Sequence, residues 1–428
     1  MTLTGRAALL AVAGAVLAPF GWPPLATLWV VLLLGVGWDL ARAGRVGDLR
    51  MSRSGATAAR LGDTVVVTLV VTNTGVRPVR GWLRDAWVPS AGARPRVHSV
   101  DLPPGERRRF DLTLTPTRRG DRTPAQVTVR SVGPLGLAAR QRRHSVGWLV
   151  RVLPPFGSRR FLPEKLARLR QLDGAVALNR RGQGTEFDSL RDYVDGDDVR
   201  SIDWRATARR DAVVVRTWRP ERDRRLVCVL DTGRTSAARV GDIPRLDASL
   251  DACLLLAAVA ARAGDRVDLV AVDSVLRASV EGAAQREVLP RLVQAMAPLE
   301  PALVESDADL VVSEVLRRQR RRCLVVLFTA LDAAAIEQGL LPVVDRLTRR
   351  HTVLLASVGD PRVDELAARR GTATAVYEAA SAERTLADRR RITASLRRHG
   401  VIVVDEAADR FASRVADAYL DLKATGRL

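Results

Sequence analysis

Residues 7–38, AALLAVAGAVLAPFGWPPLATLWVVLLLGVGW, contain no charged side chain. One straight helix over these 32 residues would run about 48 Å, against a hydrocarbon core of roughly 30 Å. Pro19, Pro23 and Pro24 also forbid an unbroken helix. The stretch predicts a membrane hairpin of two short spans over residues 1–46, turning at PFGWPP. Trp22 at the turn and Trp38 at the exit suit interfacial positions. A cleaved signal peptide is the alternative, because Arg6 precedes an apolar stretch with small residues. The second apolar stretch directly behind the first argues against it. Arg6 lies before the hairpin, Arg42, Arg45 and Arg50 follow it, and the turn has no basic residue. The positive-inside rule then places both ends, and all that follows residue 50, in the cytoplasm.

The remaining chain has room for two or three domains within its 428 residues. Its net charge is +20, and all but Lys165 and Lys423 of its 68 basic residues are arginine. Arginines near a membrane favour anionic lipid. A nucleic-acid platform wants aromatics interleaved with the charge, and at 4% aromatic content no nucleic-acid partner is expected. Cys228, Cys253 and Cys323 lack zinc-type spacing, and their odd count argues against a disulfide framework. Buried free thiols in a reducing compartment are the expectation. His98, His144, His351 and His399 show no partner pattern for catalysis or metal binding.

Residues 50–155 change period. GDTVVVTLVVTNTG alternates up to the turn residues Asn73 and Gly75. VRGWLRDAWV, RRRFDLTLTPT and AQVTVRSV are further strands between Pro- and Gly-containing turns. The spacing predicts an antiparallel β-sandwich of immunoglobulin-like kind, a spacer or docking module without chemistry.

Residues 156–223 hold a linker and an acidic, arginine-rich signature, RGQGTEFDSLRDYVDGDDVRSIDWRATARR. Three readings compete. Paired carboxylates for acid–base work need separated environments in a cleft, with Asp197 and Asp203 the first suspects. A metal loop is disfavoured because DYVDGDDVR lacks calcium-loop spacing. The favoured reading is a strap along the next domain. Arginine–carboxylate pairs would fix it, and Phe187, Tyr193 and Trp204 would anchor it. Its structural or docking residues are Glu186, Phe187, Arg191, Tyr193, Gly196, Asp197, Asp198, Arg200, Asp203, Trp204 and Arg209.

GTEFDSLRDYVDGDDVRSIDWRATAR resembles the defining signature of the domain-of-unknown-function 58 family, bacterial proteins with a von Willebrand A-like domain. RRGDRTPAQVTVRSVGPLGL and RRHTVLLASVGDPRV also look like family segments. The resemblance implies a hairpin-anchored, multi-pass protein of the bacterial inner membrane, with soluble domains in the cytoplasm. It implies a MoxR-type AAA+ ATPase as partner, and no particular reaction.

Residues 224–428 alternate apolar strands (LVCVLD, RVDLVAVD, CLVVLFTA, TVLLASVG, VIVVDE) with helical stretches such as RLDASLDACLLLAAVAARAG and LLPVVDRLTRR. They predict a doubly wound, Rossmann-like α/β domain of von Willebrand A type, and so a multi-domain α/β protein. Asp231 falls at the carboxyl end of the first strand, where such sheets bind ligands. The von Willebrand A ion site reads D-x-S-x-S plus a threonine and an aspartate from later loops. Here Asp231 fills the first place, Gly233 replaces the first serine and Thr235 the second. Ala330 occupies the last aspartate's slot, with Thr329 before it and Asp332 two residues beyond. Ser306 and Asp307 are weak stand-ins for the threonine. With these anchors gone and Arg234 adjacent, the inventory predicts no metal or a weakly held magnesium at Asp231, Thr235 and Asp332. No other cofactor is expected.

The tail RFASRVADAYLDLKATGRL spaces Phe411, Val415, Ala418 and Tyr419 on one helical face. No G-x-x-x-x-G-K-[ST] occurs, so nucleotide hydrolysis must come from a partner. The sequence reads as a non-enzymatic, membrane-anchored interaction module acting with an AAA+ ATPase on an unidentified client protein. An envelope-associated hydrolase using signature carboxylates, or a scaffold lying on anionic lipid, is the alternative.

Overall fold

Period-two valine and leucine patterns set the strands of the first half of the chain, and continuous apolar runs set those of the second. The structure is a computed structural model. It describes residues 1–428 except 15, 17, 18, 20, 180–185, 196, 210, 211, 220–223 and 283–285; for 173–179, 186–189 and 217–219 it describes backbone only. The chain divides into two units, Met1–Pro155 and Phe156–Leu428.

The first unit begins with β1 (Thr2–Leu3), helix α1 (Gly5–Ala13) and helix α2 (Trp22–Arg42). Ten strands follow: β2 (Leu49–Gly55), β3 (Ala58–Arg60), β4 (Val65–Asn73), β5 (Val79–Trp87), β6 (Val97–Leu102), β7 (Arg107–Leu114), β8 (Gly120–Arg122), β9 (Pro124–Val132), β10 (Ala138–His144) and β11 (Val150–Leu153). They form a five-stranded sheet β1-β10-β9-β5-β6 and three-stranded sheets β2-β4-β7 and β3-β11-β8. Alternate residues such as Phe110, Leu112 and Leu114 of β7 are buried with Val67, Leu69, Leu83 and Val129 in one core. Asn73 is fully buried, and its side chain holds the carbonyls of Arg77, Leu102 and Pro103. An ion pair absent from the sequence expectations links two sheets. The Arg53 guanidinium of β2 donates to both Asp85 oxygens of β5, at 2.7 and 2.8 Å, with both side chains inaccessible. A bidentate fork compensates both buried charges.

The apolar N-terminal segment differs from the two short spans expected. One described helix is long and apolar enough to cross a membrane, and α2 is its helical part. Pro23 and Pro24 sit at its N-terminus, where missing N–H groups cost nothing. Helix α1 has nine residues, about 14 Å, less than half a hydrocarbon core.

The second unit opens with α3 (Leu162–Asn179), followed by β12 (Glu186–Asp192), α4 (Trp204–Thr207) and β13 (Val214–Arg219). Next come β14 (Arg225–Asp231), the short pair β15 (Arg239–Val240) and β16 (Ile243–Pro244), α5 (Arg245–Arg262), β17 (Arg266–Val272), β18 (Leu276–Val280), α6 (Val288–Met296) and α7 (Ala308–Arg318). The chain ends with β19 (Leu324–Phe328), α8 (Leu341–Thr348), β20 (Thr352–Gly359), α9 (Pro361–Ala367), α10 (Ala373–Arg398), β21 (Ile402–Ala407) and α11 (Ala408–Ala424).

A six-stranded sheet, β18-β17-β14-β19-β20-β21, carries this unit. Its strands are parallel except β18, an antiparallel edge. Val227, Val229, Val325, Leu327 and Leu355 pack on one face under Val312 and Val315 of α7, Val344 and Leu347 of α8 and Ile392 and Leu396 of α10. The other face meets α5 and α11, with Phe328 edge-on to Phe411 at 6.3 Å. The tail is thus a helix packed on the sheet. From β14 the chain builds outward to β17 and β18, then returns to place β19 on the opposite side. That reversal opens a crevice beyond the carboxyl ends of β14 and β19.

Of the two lysines of this arginine-rich chain, Lys165 is buried and Lys423 half-buried, both at helix junctions. Lys165 of α3 reaches Asp417 of α11 at 2.9 Å, and Lys423 of α11 lies 3.4 Å from Asp265 behind α5. A compact ammonium fits where a planar guanidinium does not.

Candidate functional site

Strand β14 carries Asp231 to the crevice mouth. Its Oδ1 accepts from the Gly233 N–H, at 2.8 Å, and from the Ser306 hydroxyl; its Oδ2 accepts from the hydroxyls of Thr329, at 2.6 Å, and Thr235, at 3.2 Å. One carboxylate therefore gathers three hydroxyls, including groups from the 300–307 loop and the end of β19. Ser306, a weak candidate in the sequence, is brought to the site. Gly233 is the reason. A Cβ there would collide with the Ser306 hydroxyl, so the missing serine leaves the space that a hydroxyl from another loop enters. Behind the knot lies a cavity of ≈ 60 Å³, lined by Asp231, Ser306, Thr329, Val229, Ile336 and Leu340 among others.

Other sequence candidates sit elsewhere. Asp332 does not join Asp231: it is exposed and accepts from the Ala335 N–H at 3.1 Å, holding the turn before α8. Asp307 caps α7 through the Leu310 N–H at 3.0 Å. Arg234 points to Glu305 at 3.3 Å, both exposed. The fully buried Asp273 ends β17, and sequence reasoning missed it. It accepts from Arg277 at 2.7 Å and from the Thr232 hydroxyl at 2.9 Å. Burial opposes its ionisation, yet those donors hold its pKa below the ordinary carboxylate value.

The signature forms an arm instead of a strap. Strands β12 and β13 pair with each other as a separate two-stranded sheet. The described residues of its tip, 193–195, 197–209, 212 and 213, are held by their own carboxylates. Asp197 accepts from Arg191, at 2.5 Å, and from the Val194 N–H; Asp198 accepts from the Arg200 N–H at 2.9 Å. Asp203 caps α4 through the Arg205 and Ala206 amides, both at 3.0 Å, and takes Arg216 at 2.8 Å. The Arg216 contact and the Ala206 amide lower the Asp203 pKa below its ordinary value. Tyr193 is half-buried and its N–H donates to the Val213 carbonyl, whereas Arg200 and Arg209 are exposed. Trp204, expected as an anchor, is 69% exposed, and Val194, Val199 and Val213 of the same tip are exposed as well. The Glu186 and Phe187 side chains and Gly196 lie outside the described residues.

The three cysteines are free and buried. Cys323 Sγ lies 3.3 Å from His351 Nδ1, a pair the sequence did not reveal. Burial pushes the thiol up to about 12 and lowers the His351 pKa. A neutral pair buried at the amino ends of β19 and β20 is no nucleophile–base dyad.

Residues 189–401 match the family described as "Protein of unknown function DUF58". Uncharacterized proteins of Mycobacterium tuberculosis (strain H37Rv) and Mycobacterium bovis are each 26% identical over 187 residues, 43% of this chain and 58% of theirs. The chain thus spans little more than half the length of these relatives. The CARDB domain of a Pyrococcus furiosus protein is 18% identical over 24% of this chain and 87% of its own, with a TM-score of 0.19. A family 20 exo-β-N-acetylglucosaminidase from Vibrio harveyi is 9% identical over 84% of this chain and 75% of its own, with a TM-score of 0.21. Scores this low define no shared fold.

Proposed function

We propose that this protein is a membrane-anchored interaction module that docks another protein through the β12–β13 arm. The observation that carries the reading is the exposed Trp204 on a tip where Asp197, Asp198 and Asp203 are engaged in holding backbone. Solvent-exposed tryptophan on an ordered scaffold is the kind of group that anchors protein interfaces. A general acid needs a raised pKa, and the lowered one of Asp203 points away from acid catalysis.

The finer architecture belongs to the same proposal. The strand order and the Asp231 hydroxyl knot support a von Willebrand A-like domain, and the stacked sheets of the first unit support an immunoglobulin-like spacer. The apolar segment leaves and rejoins one turn of that spacer, which supports a hairpin entering the bacterial inner membrane from the cytoplasmic side, with basic residues at both feet. The donor set at Asp231 fits magnesium poorly: one carboxylate and three neutral hydroxyls, already mutually bonded, stand where near-octahedral charged oxygen is demanded. Asp231 serves as a hydrogen-bond hub. The partner fitting the family resemblance is a MoxR-type AAA+ ATPase, with a client protein as the object of remodelling or assembly.

The test is co-purification from detergent-solubilised membranes with the apolar segment intact. Wild type retains an AAA+ ATPase, and Trp204→Ala loses most of it while its melting temperature is unchanged. Equal retention by the variant contradicts the proposed surface.

A further inference from the structure

Both ends of the apolar segment stand on one β-turn. Thr2 and Leu3 pair with Ala139 and Ala138, and the Thr4 N–H and hydroxyl donate to the carbonyls of Leu137 and Gly136 at 3.0 and 2.5 Å. At the other end, the fully buried Asp39 of α2 accepts from the N–H groups of Leu135, Leu137 and Ala138, at 2.7, 2.5 and 3.0 Å. Arg140 donates to the Leu40 carbonyl at 2.8 Å, a cation at a helix C-terminus. Gly133 is required by space, since a Cβ there would strike the Asp39 carboxylate. The junction between helix and β domain is a hydrogen-bonded weld, so the turn must move with α2.

The turn's leucines reach back along that helix. A Cβ on Gly35 would lie 2.8 Å from Leu137 Cδ1 and 3.8 Å from Leu135 Cδ1. Gly35 precedes Asp39 by four residues, about 6 Å toward the middle of the span. Leu135 is 50% exposed and Trp38 52%, and the Arg42 guanidinium lies 4.5 Å from the Trp38 ring centroid. Arg6, Arg42, Arg45 and Arg142 are exposed around this foot; of the two acids near it, Asp39 is buried and Asp48 half-buried. Leucine and tryptophan below a ring of arginines match the boundary between hydrocarbon and anionic headgroups.

We propose that the Gly133–Leu137 turn and the foot of α2 form one rigid lipid-facing surface, with Leu135 and Trp38 at the headgroup boundary and the arginines on anionic headgroups. It rests on the membrane reading above. The β domain would then be seated on the bilayer at fixed depth, with no flexible tether between.

The native cysteines are buried, so nitroxides on single introduced cysteines report depth in the full chain. Leu33→Cys, Leu135→Cys and Val76→Cys are compared in phosphatidylcholine vesicles with and without phosphatidylglycerol, by collision with oxygen and with a water-soluble nickel chelate. The expected result is a label at 33 in hydrocarbon, at 76 in water, and at 135 between them, deeper with phosphatidylglycerol. Adding Asp39→Asn should free the label at 135 and return it to water while the label at 33 stays buried. A label at 135 as nickel-accessible as that at 76, with 33 in lipid, overturns this surface and leaves the anchor standing. A water-accessible label at 33 overturns the anchor and this surface together.

Discussion

The six-stranded sheet and the β12–β13 arm are built from similar residues and use them oppositely. In the sheet, valines and leucines such as Leu230, Val325 and Leu355 are essentially inaccessible, covered by helices on both faces. On the arm, Val214 and Val215 of β13 are buried, but Val194, Val199, Val213 and Trp204 at the tip face solvent, and carboxylate–amide bonds help to hold its shape. Apolar area in the sheet is spent on folding. On the arm it remains available for a partner, and exposed apolar groups on an ordered scaffold are what interfaces use.

The contrast breaks most visibly in stability. Leu355→Ala should cost about 2–5 kcal/mol in urea unfolding, because its surroundings close only partly over the cavity. Trp204→Ala should stay within about 0.5 kcal/mol of wild type, as exposed substitutions do. Equal losses would mean that Trp204 packs against its own chain.

The crevice at the carboxyl ends of β14 and β19 gives a sharper, smaller effect. Gly233→Ser should cost about 1–3 kcal/mol by overpacking against Ser306. Adding Ser306→Ala should recover most of it, because the new hydroxyl takes the vacated place beside Asp231. Additive losses in a double-mutant cycle would contradict that shared space.

The smallest effect is local and acid-dependent. The folded Asp203 pKa is depressed below 3.8, so its contribution is present above that ordinary value. It disappears as pH falls through the depressed one. Amide resonances of Arg205 and Ala206 should therefore keep their capped shifts down to about the unfolded carboxylate value, and lose them together only below it. Loss near neutral pH would show that the cap does not form.

Much of the sheet was legible because buried parallel strands read as unbroken apolar runs: LVCVLD and TVLLASVG fall on β14 and β20. The edge strand β18, LRASV, has no such run and was missed. Asp231 was legible from its place after a strand. Ser306 was only weakly so, because it reaches the site through a space, at Gly233, that no spacing rule records. Trp204 was misread for a related reason. A tryptophan among arginines and aspartates looks like an anchor, and sequence cannot show that its neighbours satisfy one another and leave the ring outside. The two arms of the apolar segment are unequal, nine helical residues in α1 against 21 in α2, because a continuous apolar run does not say how many of its residues are helical.

The central claim is that the arm's apolar tip meets another protein. A photoreactive benzoylphenylalanine at position 204, activated in intact cells, tests it directly. The account predicts an adduct of higher mass containing an AAA+ ATPase, absent when the same group stands at position 355. Crosslinks confined to peptides of this chain would contradict it.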